Sequence, residues 1–407
     1  MKILFVTSRL PYPPFRGDKL KIWNLLFRLS ERHQIFLFSI IQKRSDLHWL
    51  AELHKVCLDI LVVPFSTVRS AVSCGLALIK PIPFQVAYFR SHRVQRSLNT
   101  FVKKVNPDVI HTHLIRMAPY TAGINHIPKI LDMTDAVSLY LKRFRDVEKN
   151  PLIKAAIGAE LFRMQNFEEI IAKFDRGLVC SETDRAFLQE RVPGAKLSLL
   201  FNGVDLVTFS PIQQVDRDPY RIIFTGNMNY YPNADAAAYF VKDIFPHVLQ
   251  TFASAKFFIV GQNPPRRVRA LASQNVVVTG FVEDIRSEYL KSTVAVSPIR
   301  FGAGTLNKVI EPLALGVPVV TTPVGIEGLR LSDPEEISVA SSAKDFAESV
   351  CAILANWEFG REMALRAQKK IKSRLNWERI VSDLETVYVQ VRGEKPSSSN
   401  AEALATP

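Results

Sequence analysis

Cysteine and long apolar runs are scarce in this sequence. Only 4 of the 407 residues are cysteine, and they lie far apart with no CxxC spacing, which predicts free thiols of a cytosolic protein. No apolar run approaches the roughly 20 residues that a membrane-spanning helix needs, and the candidate at 68–89 is interrupted by charges and prolines. The opening segment MKILFVTSRL has too short an apolar run for a signal peptide and predicts a strand.

Acidic residues are missing from one long stretch, residues 60–107. Residues 1–150 contain 23 Lys and Arg against 10 Asp and Glu, whereas the rest of the chain balances at 29 each, so the net charge of +13 lies in the first part. Basic residues mixed with apolar ones such as Leu76, Leu78 and Ile79 favour a segment lying on an anionic membrane surface. A solvated basic face and nucleic-acid binding are the alternatives; aromatics do not interleave with the basic residues as the latter requires.

Short apolar runs alternate with helical patterns almost throughout, which is typical of parallel α/β units. Two segments open alike with a strand, a glycine-containing loop and a helix, one at Ile3 and one at Ile222. We therefore expect an α/β fold of two doubly wound, Rossmann-like domains. The predicted boundaries are 1–212, 213–375, a helix at 376–392 that crosses back to the first domain, and a disordered tail at 393–407.

A loop of small residues between a strand and a helix is the sharpest feature of the second half. The strand Val294–Val296 leads into Gly302 and Gly304, and a helical segment follows that ends near Gly316. Glycines allow backbone amides to approach a ligand, and a helix amino terminus favours an anion such as a diphosphate. We expect Thr305 to cap this helix and to offer its hydroxyl. The loop is not a Walker motif, because GxxxxGK[ST] does not occur.

Three charged residues accompany this loop. Lys308 can neutralise a phosphate, and Glu311 shares its helical face and suits sugar or ribose hydroxyls. Arg300 can add a fork of donors from the end of the strand. Taken singly, Lys308 and Glu311 are also compatible with a surface ion pair, and Gly316 with a simple helix stop.

Several motifs occur together in one order along the chain, and they resemble the retaining glycosyltransferases of family 4, which have the GT-B fold. They are the loop at Gly17, DVIHTH, VCSETD, FNGVD, FTGNMNYYPNADA, GFVEDI and NKVIEPLALGVPVVTT. The resemblance implies two Rossmann-like domains that face each other across a cleft. It also implies a nucleoside diphosphate sugar as co-substrate, no cofactor and no metal, and the sequence has no DxD at a strand end.

The resemblance implies a role for each matching residue. Lys308, Arg300 and the amides near Gly304 would hold the diphosphate, Glu311 the ribose, and the backbone at Phe281 and Val282 the base. The implied donor-binding set is Gly17, Asn227, Phe281, Val282, Gly302, Gly304, Thr305, Lys308 and Glu311, and the implied catalytic set is Lys308, Arg300, His113 and Asp135.

Two positions depart from the family pattern. Ala303 stands where many members have a glutamate that contacts the donor sugar, and Thr134 stands where members often have a histidine. The acceptor-side residues are therefore open: His113 is an acceptor ligand or a structural hydrogen-bonding group, His111 is more readily structural, and Asp135 is an acceptor-hydroxyl ligand or base.

The sequence thus predicts a hexosyltransferase that moves a sugar, with retention, to a glycolipid or polysaccharide intermediate in cell-surface or extracellular polysaccharide biosynthesis. We expect a cytoplasmic protein held peripherally on the inner face of the plasma membrane by its basic first half. The alternatives are a non-catalytic nucleotide-sugar scaffold and another GT-B activity such as a nucleotide-sugar epimerase, although paired carboxylates for proton abstraction are not evident.

Overall fold

The computed structural model describes residues 1–65, 74–75, 81–210 and 216–393. The chain divides into two compact units, Met1–Phe201 with Trp377–Pro407, and Asn202–Asn376. Leu76, Leu78 and Ile79 of the predicted membrane-facing stretch lie outside the described residues, as do residues 394–407 of the predicted tail.

The first unit contains a seven-stranded parallel sheet with the order β3-β2-β1-β4-β5-β6-β7. Its strands are β1 (Lys2–Thr7), β2 (Gln34–Ile41), β3 (Asp59–Pro64), β4 (Val109–His113), β5 (Lys129–Thr134), β6 (Arg176–Val179) and β7 (Leu197–Leu199). Its main helices are Gly17–Leu29, Leu50–Leu53, Phe84–Tyr88, His92–Val105, Ala118–Thr121, Val137–Val147, Pro151–Phe167, Glu182–Arg191 and Trp377–Val391.

The second unit contains a six-stranded parallel sheet with the order β10-β9-β8-β11-β12-β13. Its strands are β8 (Arg221–Thr225), β9 (Lys256–Val260), β10 (Val276–Gly280), β11 (Val294–Ser297), β12 (Val319–Thr321) and β13 (Ser338–Val339). Its main helices are Tyr231–Tyr239, Phe245–Thr251, Arg266–Arg269, Ile285–Leu290, Asn307–Ala314, Pro323–Ile326, Ala343–Ala355 and Trp357–Arg374.

Continuous apolar strands form these sheets because helices cover both faces. In β1, Ile3 and Phe5 belong to one hydrophobic cluster, and Leu4 and Val6 belong to the cluster on the opposite face. All four side chains are fully buried. Such burial on both sides is the pattern of a parallel sheet inside an α/β unit.

The carboxy-terminal helix belongs to the first unit. Trp377, Leu384 and Tyr388 are buried in the same cluster as Ile3 and Phe5. The helix spans Trp377–Val391, one residue inside each end of the predicted segment 376–392. Its apolar stripe at helical spacing is the reason that it packs on this sheet.

The first unit ends at Phe201 rather than at the predicted residue 212. The amide of Val204 donates to the carbonyl of Leu375, and the Arg286 side chain donates to the carbonyl of Thr208, both within the second unit. These hydrogen bonds to the backbone, which the linker-like composition does not reveal, agree with the assignment of residues 202–209 to the second unit. Residues 211–215 of the expected linker lie outside the described residues.

The predicted fold class is confirmed: the chain has two Rossmann-like α/β units with parallel sheets. Strand β13 was not expected, because a two-residue strand is too short to produce a pattern. Among the described residues, the helices are all too short or too polar to cross a bilayer.

Candidate functional site

In the second unit, the loop after β11 leads into the helix Asn307–Ala314. The expectation that Thr305 is the N-cap of this helix is wrong, because the N-cap residue is Leu306, whose side chain makes no capping hydrogen bond. Lys308 is therefore the second helical residue, within the first turn, where the helix dipole favours an anion. Gly304 has a φ of +76°, a left-handed conformation that strains any other residue except asparagine or aspartate.

Lys308 is half-buried and aimed at the end of β8. Its Nζ donates to the Asn233 side-chain oxygen at 2.5 Å and lies 5.6 Å from the centre of the Phe224 ring. Burial lowers the pKa of Lys308 to about 8, against the opposing effect of Glu311. The ammonium group is thus only weakly favoured without a further anion.

Glu311 lies one turn further along the same helix and forms part of a buried polar chain. The Tyr289 hydroxyl donates to Glu311 at 3.2 Å and lies 2.5 Å from the Thr225 hydroxyl. Burial raises the pKa of Glu311 to about 7, while Tyr289 and Lys308 oppose this shift. Tyr289 therefore orients the carboxyl group that the resemblance assigns to ribose.

Arg300 makes a two-point ion pair with Asp235, with N–O distances of 2.9 and 2.5 Å. This hydrogen bonding raises the pKa of Arg300, and its guanidinium carbon also lies 5.0 Å from the centre of the Tyr239 ring. The structure thus does not bring Arg300 and Lys308 to one shared partner. A role of Arg300 on a diphosphate stays a prediction, and it requires the guanidinium to leave or share Asp235.

Asn227 follows β8 and is held locally. Its side-chain oxygen accepts from the amide of Asn229 at 3.1 Å, and its carbonyl accepts from the Asn233 amide group at 2.9 Å. Asn233 therefore joins the backbone at Asn227 to the ammonium of Lys308. A Cβ on Gly261 would lie 1.8 Å from the carbonyl oxygen of Gly226, so the backbones after β8 and β9 approach too closely for a side chain.

The remaining residues of the predicted donor site differ in exposure. Phe281 is 56% exposed and Val282 is half-buried, directly after Gly280, which ends β10. Gly302 and Thr305 are buried in the loop before the helix. All of these positions follow carboxyl ends of parallel strands, which meet at one edge of the sheet.

Gly17, His113 and Asp135 belong to the first unit. Gly17 is the exposed first residue of the helix Gly17–Leu29, and a Cβ built there would meet no atom within 4 Å. Packing inside the chain therefore gives no reason for glycine at this position. The prediction that a ligand requires it remains open.

His113 and His111 point to the same side of β4, where both meet Asp132. The Nδ1 of His113 and the Nε2 of His111 each lie 3.5 Å from the same Asp132 oxygen. Lys21 donates to the other oxygen at 2.8 Å, and all four residues are at most 3% exposed. Burial would raise the pKa of Asp132, but Lys21 and the two imidazoles hold it well below its ordinary value.

His111 also contacts the carboxy-terminal helix, because its Nδ1 lies 2.8 Å from the Tyr388 hydroxyl and its ring stacks on Phe5. Burial lowers the pKa of His111, which keeps the imidazole neutral. These contacts support a structural role for His111. The Nε2 of His113 is buried with no hydrogen-bond partner among the described residues, and its Nδ1 has only the 3.5 Å approach to Asp132.

Asp135 follows an irregular end of β5. The pairing of β5 with β6 slips between Asp132 and Thr134, and Thr134 has a φ of +67°, which is rare for a β-branched residue. Leu114, directly after His113, has a φ of +70°. Burial and the nearby Asp184 raise the pKa of Asp135 to about 7. Backbone strain of this kind concentrates at functional sites.

Several contributors to these sites have no sequence signal of their own. Asn233 and Tyr289 lie far along the chain from Lys308 and Glu311, and only the fold brings them together. The same holds for Lys21 and Asp132, which are 111 residues apart. Among the described residues, no group of three or more His, Cys, Asp and Glu side chains is placed to hold a metal ion.

A family model described as "Glycosyl transferases group 1" matches residues 219–356. The second unit thus carries a group 1 glycosyltransferase domain, and the predicted family resemblance is confirmed at that level. An uncharacterized 44.6 kDa protein in the cps region of Klebsiella pneumoniae is 21% identical over 94% of this chain and 98% of its own length. Spore coat protein SA of Bacillus subtilis is 21% identical over 96% of this chain and its full length.

Solved structures of glycosyltransferases share the fold. Sucrose-phosphate synthase from Thermosynechococcus elongatus superposes with a TM-score of 0.72 at 15% identity, covering 97% of this chain and 100% of that one. Anabaena HepE in complex with UDP has a TM-score of 0.68 at 12% identity, covering 96% and 100%. TarM has a TM-score of 0.69 at 11% identity, covering 95% and 98%. These likenesses establish the GT-B fold.

Proposed function

We propose that this protein transfers a hexose from a nucleoside diphosphate sugar to a glycolipid or polysaccharide intermediate, with retention of anomeric configuration and without a metal ion. The product would belong to cell-surface or extracellular polysaccharide. The group 1 domain and the GT-B fold support glycosyl transfer, and the relative from a cps region supports a role in polysaccharide biosynthesis.

The observation that carries the proposal is the environment of Lys308. Its ammonium lies in the first turn of a helix, beside the left-handed Gly304 loop and against Asn233. Burial disfavours its charge, and the pKa of about 8 shows that the neighbouring Glu311 compensates only in part. A diphosphate at this helix terminus would supply the missing negative charge.

This arrangement suits the departure of a nucleoside diphosphate. The bond between the anomeric carbon and the phosphate oxygen breaks, and the acceptor oxygen bonds to the same face of the sugar. The acceptor proton passes to the departing phosphate oxygen, so no protein nucleophile is needed. Lys308 and the helix amides stabilise the negative charge that develops, and such preorganised groups are usually the largest catalytic contribution.

Uridine nucleotides are the first donors to test. HepE of Anabaena has been solved with UDP and with UDP-glucose, and a TarM variant of Staphylococcus aureus with UDP. Glu311, held by Tyr289, is placed on the Lys308 helix one turn from the proposed diphosphate position and suits the ribose hydroxyls. We expect the base near Phe281, because its ring is 56% exposed and can therefore present a face to a ligand.

The excess of basic residues in the first 150 positions supports peripheral attachment to an anionic membrane on its cytoplasmic side. Such attachment would bring the enzyme to a lipid-linked acceptor. Co-sedimentation of the full chain with anionic vesicles at low salt checks this part, and the attachment is refuted if the protein stays in the supernatant.

The experiment is a thermal-shift panel of UDP-, GDP- and ADP-sugars with the full chain, followed by an assay of transfer to cell-derived lipid acceptors. One nucleotide sugar should raise the melting temperature, because a ligand of the folded state stabilises it. Lys308→Met should abolish that shift, whereas the exposed control Lys344→Met should keep it. Binding without any transfer would favour a non-catalytic scaffold instead.

A further inference from the structure

Three arginines surround one aspartate at the carboxyl edge of the first sheet. The Asp18 carboxylate lies 3.2 Å from Arg9, 3.3 Å from Arg16 and 3.9 Å from Arg116. We call Arg9, Arg16, Arg116 and Asp18 the arginine cluster. It carries three positive charges against one negative charge, and the side chains of Arg9, Asp18 and Arg116 are only 17–28% exposed.

The arginine cluster has fewer negative charges than positive ones. Burial and the nearby Arg9 lower the pKa of Arg116 to about 10, and Arg16 adds to this effect. Burial would raise the pKa of Asp18, but Arg9 and Arg16 hold it below its ordinary value. One carboxylate is therefore shared by three mutually repelling guanidinium groups, and half-buried arginines with excess charge suit a phosphate or carboxylate ligand.

Unpartnered polar groups adjoin the cluster. A small cavity is lined by Arg9, Asp18 and Lys19 together with Ser8 and His113. The Ser8 hydroxyl and the Nε2 of His113 have no hydrogen-bond partner among the described residues, although these residues are only 2% and 3% exposed, while the Nδ1 of His113 faces Asp132 at 3.5 Å. The Arg116 Nε is likewise buried without a partner. Buried polar atoms normally have partners, so these groups indicate a ligand.

We propose that the arginine cluster binds an anionic group of the acceptor, so that the acceptor is a phosphate-bearing glycan or lipid rather than a neutral sugar. This inference rests on the proposed function. The donor diphosphate has its own proposed partners at Lys308, in the second unit, but Gly17 of the predicted donor set lies between Arg16 and Asp18, so the test has to separate the two ligands. The cluster instead adjoins the acceptor-side candidate His113, because His113 lines the same small cavity as Arg9 and Asp18.

The test uses calorimetry of the full chain with inorganic pyrophosphate as the probe, in the presence of saturating UDP. Wild type should bind pyrophosphate while UDP is bound. Arg116→Gln should weaken pyrophosphate binding by about tenfold or more, since a charge-assisted contact is lost, and should leave UDP affinity within about twofold. Arg185→Gln, which removes an exposed arginine paired with Glu182, should change neither affinity.

Three results would overturn the inference. Pyrophosphate and UDP could compete in wild type, Arg116→Gln could lose affinity for both ligands equally, or pyrophosphate could fail to bind at all. The first two would assign the cluster to the donor. If pyrophosphate binding depends on Arg116 but UDP does not bind, the anion site stands and the proposed function fails.

The melting temperature distinguishes a ligand-binding role of Arg116 from a purely structural one. Arg116→Gln removes a repelled charge, so its melting temperature should equal or exceed that of wild type, whereas a structural role predicts a decrease. Arg9→Gln is the second variant and should weaken the binding of pyrophosphate by a similar factor. A parallel titration with farnesyl diphosphate identifies the source: tighter binding than pyrophosphate indicates a lipid-borne phosphate, and equal binding a soluble one.

Discussion

The carboxyl edges of the two sheets differ sharply, although both sheets are parallel and place their first strand in the middle of the order. The edge of the first sheet is charged and strained, with Lys21, Asp132 and His113 buried below Thr134 and Leu114 in left-handed conformations. The edge of the second sheet is formed by glycine-containing loops, and the half-buried Lys308 lies there with Glu311 and the Arg300–Asp235 ion pair. The comparison teaches that one scaffold supports two kinds of site, set by the loops that follow its strands.

The largest effect should come from the second edge. Lys308→Ala should lower turnover by about 10³-fold, because one preorganised positive group is removed from the departing diphosphate. The melting temperature should change little, because among the described residues the ammonium of Lys308 makes one hydrogen bond, to Asn233, and its burial disfavours the charge that the substitution removes. Turnover of Lys344→Ala is the matched control, and an active Lys308→Ala would refute the role.

At the carboxyl edge of the first sheet, a substitution should lower the free energy of unfolding instead. Asp132→Asn leaves the ammonium of Lys21, which is 1% exposed, buried without its counter-charge. Breaking one side of a buried pair costs about 3 kcal/mol or more, so the free energy of unfolding should fall by that amount in urea denaturation. Asp146→Asn, at an exposed position, should be nearly neutral. A stable Asp132→Asn would mean that Lys21 reaches solvent.

Two glycines sharpen the comparison further. Gly261→Ala places a Cβ against the carbonyl of Gly226 and should destabilise the second unit by about 2 kcal/mol, since the backbone must shift. The Cβ of Gly17→Ala meets no atom of the described residues within 4 Å and should leave stability unchanged. If a donor lies against Gly17, activity should still fall by about tenfold, which is roughly 1.4 kcal/mol. Full activity in Gly17→Ala would remove Gly17 from the donor site.

The smallest effect concerns pH. The pKa of Lys308 is lowered from 10.5 to about 8, so as the pH rises the ammonium loses its proton in the folded protein before it does so in the unfolded chain. UDP affinity should therefore weaken as the pH rises through about 8, while the free energy of unfolding contributed by this group rises between pH 8 and 10.5. Lys308→Arg keeps its charge and should give a flat UDP affinity between pH 7 and pH 9, a range in which the uracil ring stays largely neutral. If the UDP affinities of wild type and Lys308→Arg changed equally with pH, this explanation would be contradicted.

Much of the fold could be predicted because buried parallel strands leave continuous apolar runs, such as KFFIV at β9 and ILFV at β1. The position of Lys308 was also predictable, since glycines and a helix follow a strand there. Its partner Asn233 was not, because 75 residues separate the two. Thr305 was wrongly expected to cap the helix. Threonine is a common capping residue, but Thr305 lies one residue before the N-cap, Leu306, and the sequence alone does not distinguish these two starting points.

The first edge was less predictable for a physical reason. The buried pair of Lys21 and Asp132 looks in the sequence like two surface charges, and only tertiary packing excludes water from it. The arginine cluster is likewise assembled from the loop after β1, the start of a helix and a turn near residue 116. Charge composition indicated the excess of basic residues but not where they converge.

The central claim is that the ammonium of Lys308 holds the diphosphate of a nucleotide donor. Direct calorimetric titration of UDP into wild type and Lys308→Met at pH 7 tests it. The account predicts that wild type binds UDP and that Lys308→Met binds it at least about tenfold more weakly, the loss of one charge-assisted contact. Equal affinities in the two proteins would contradict it.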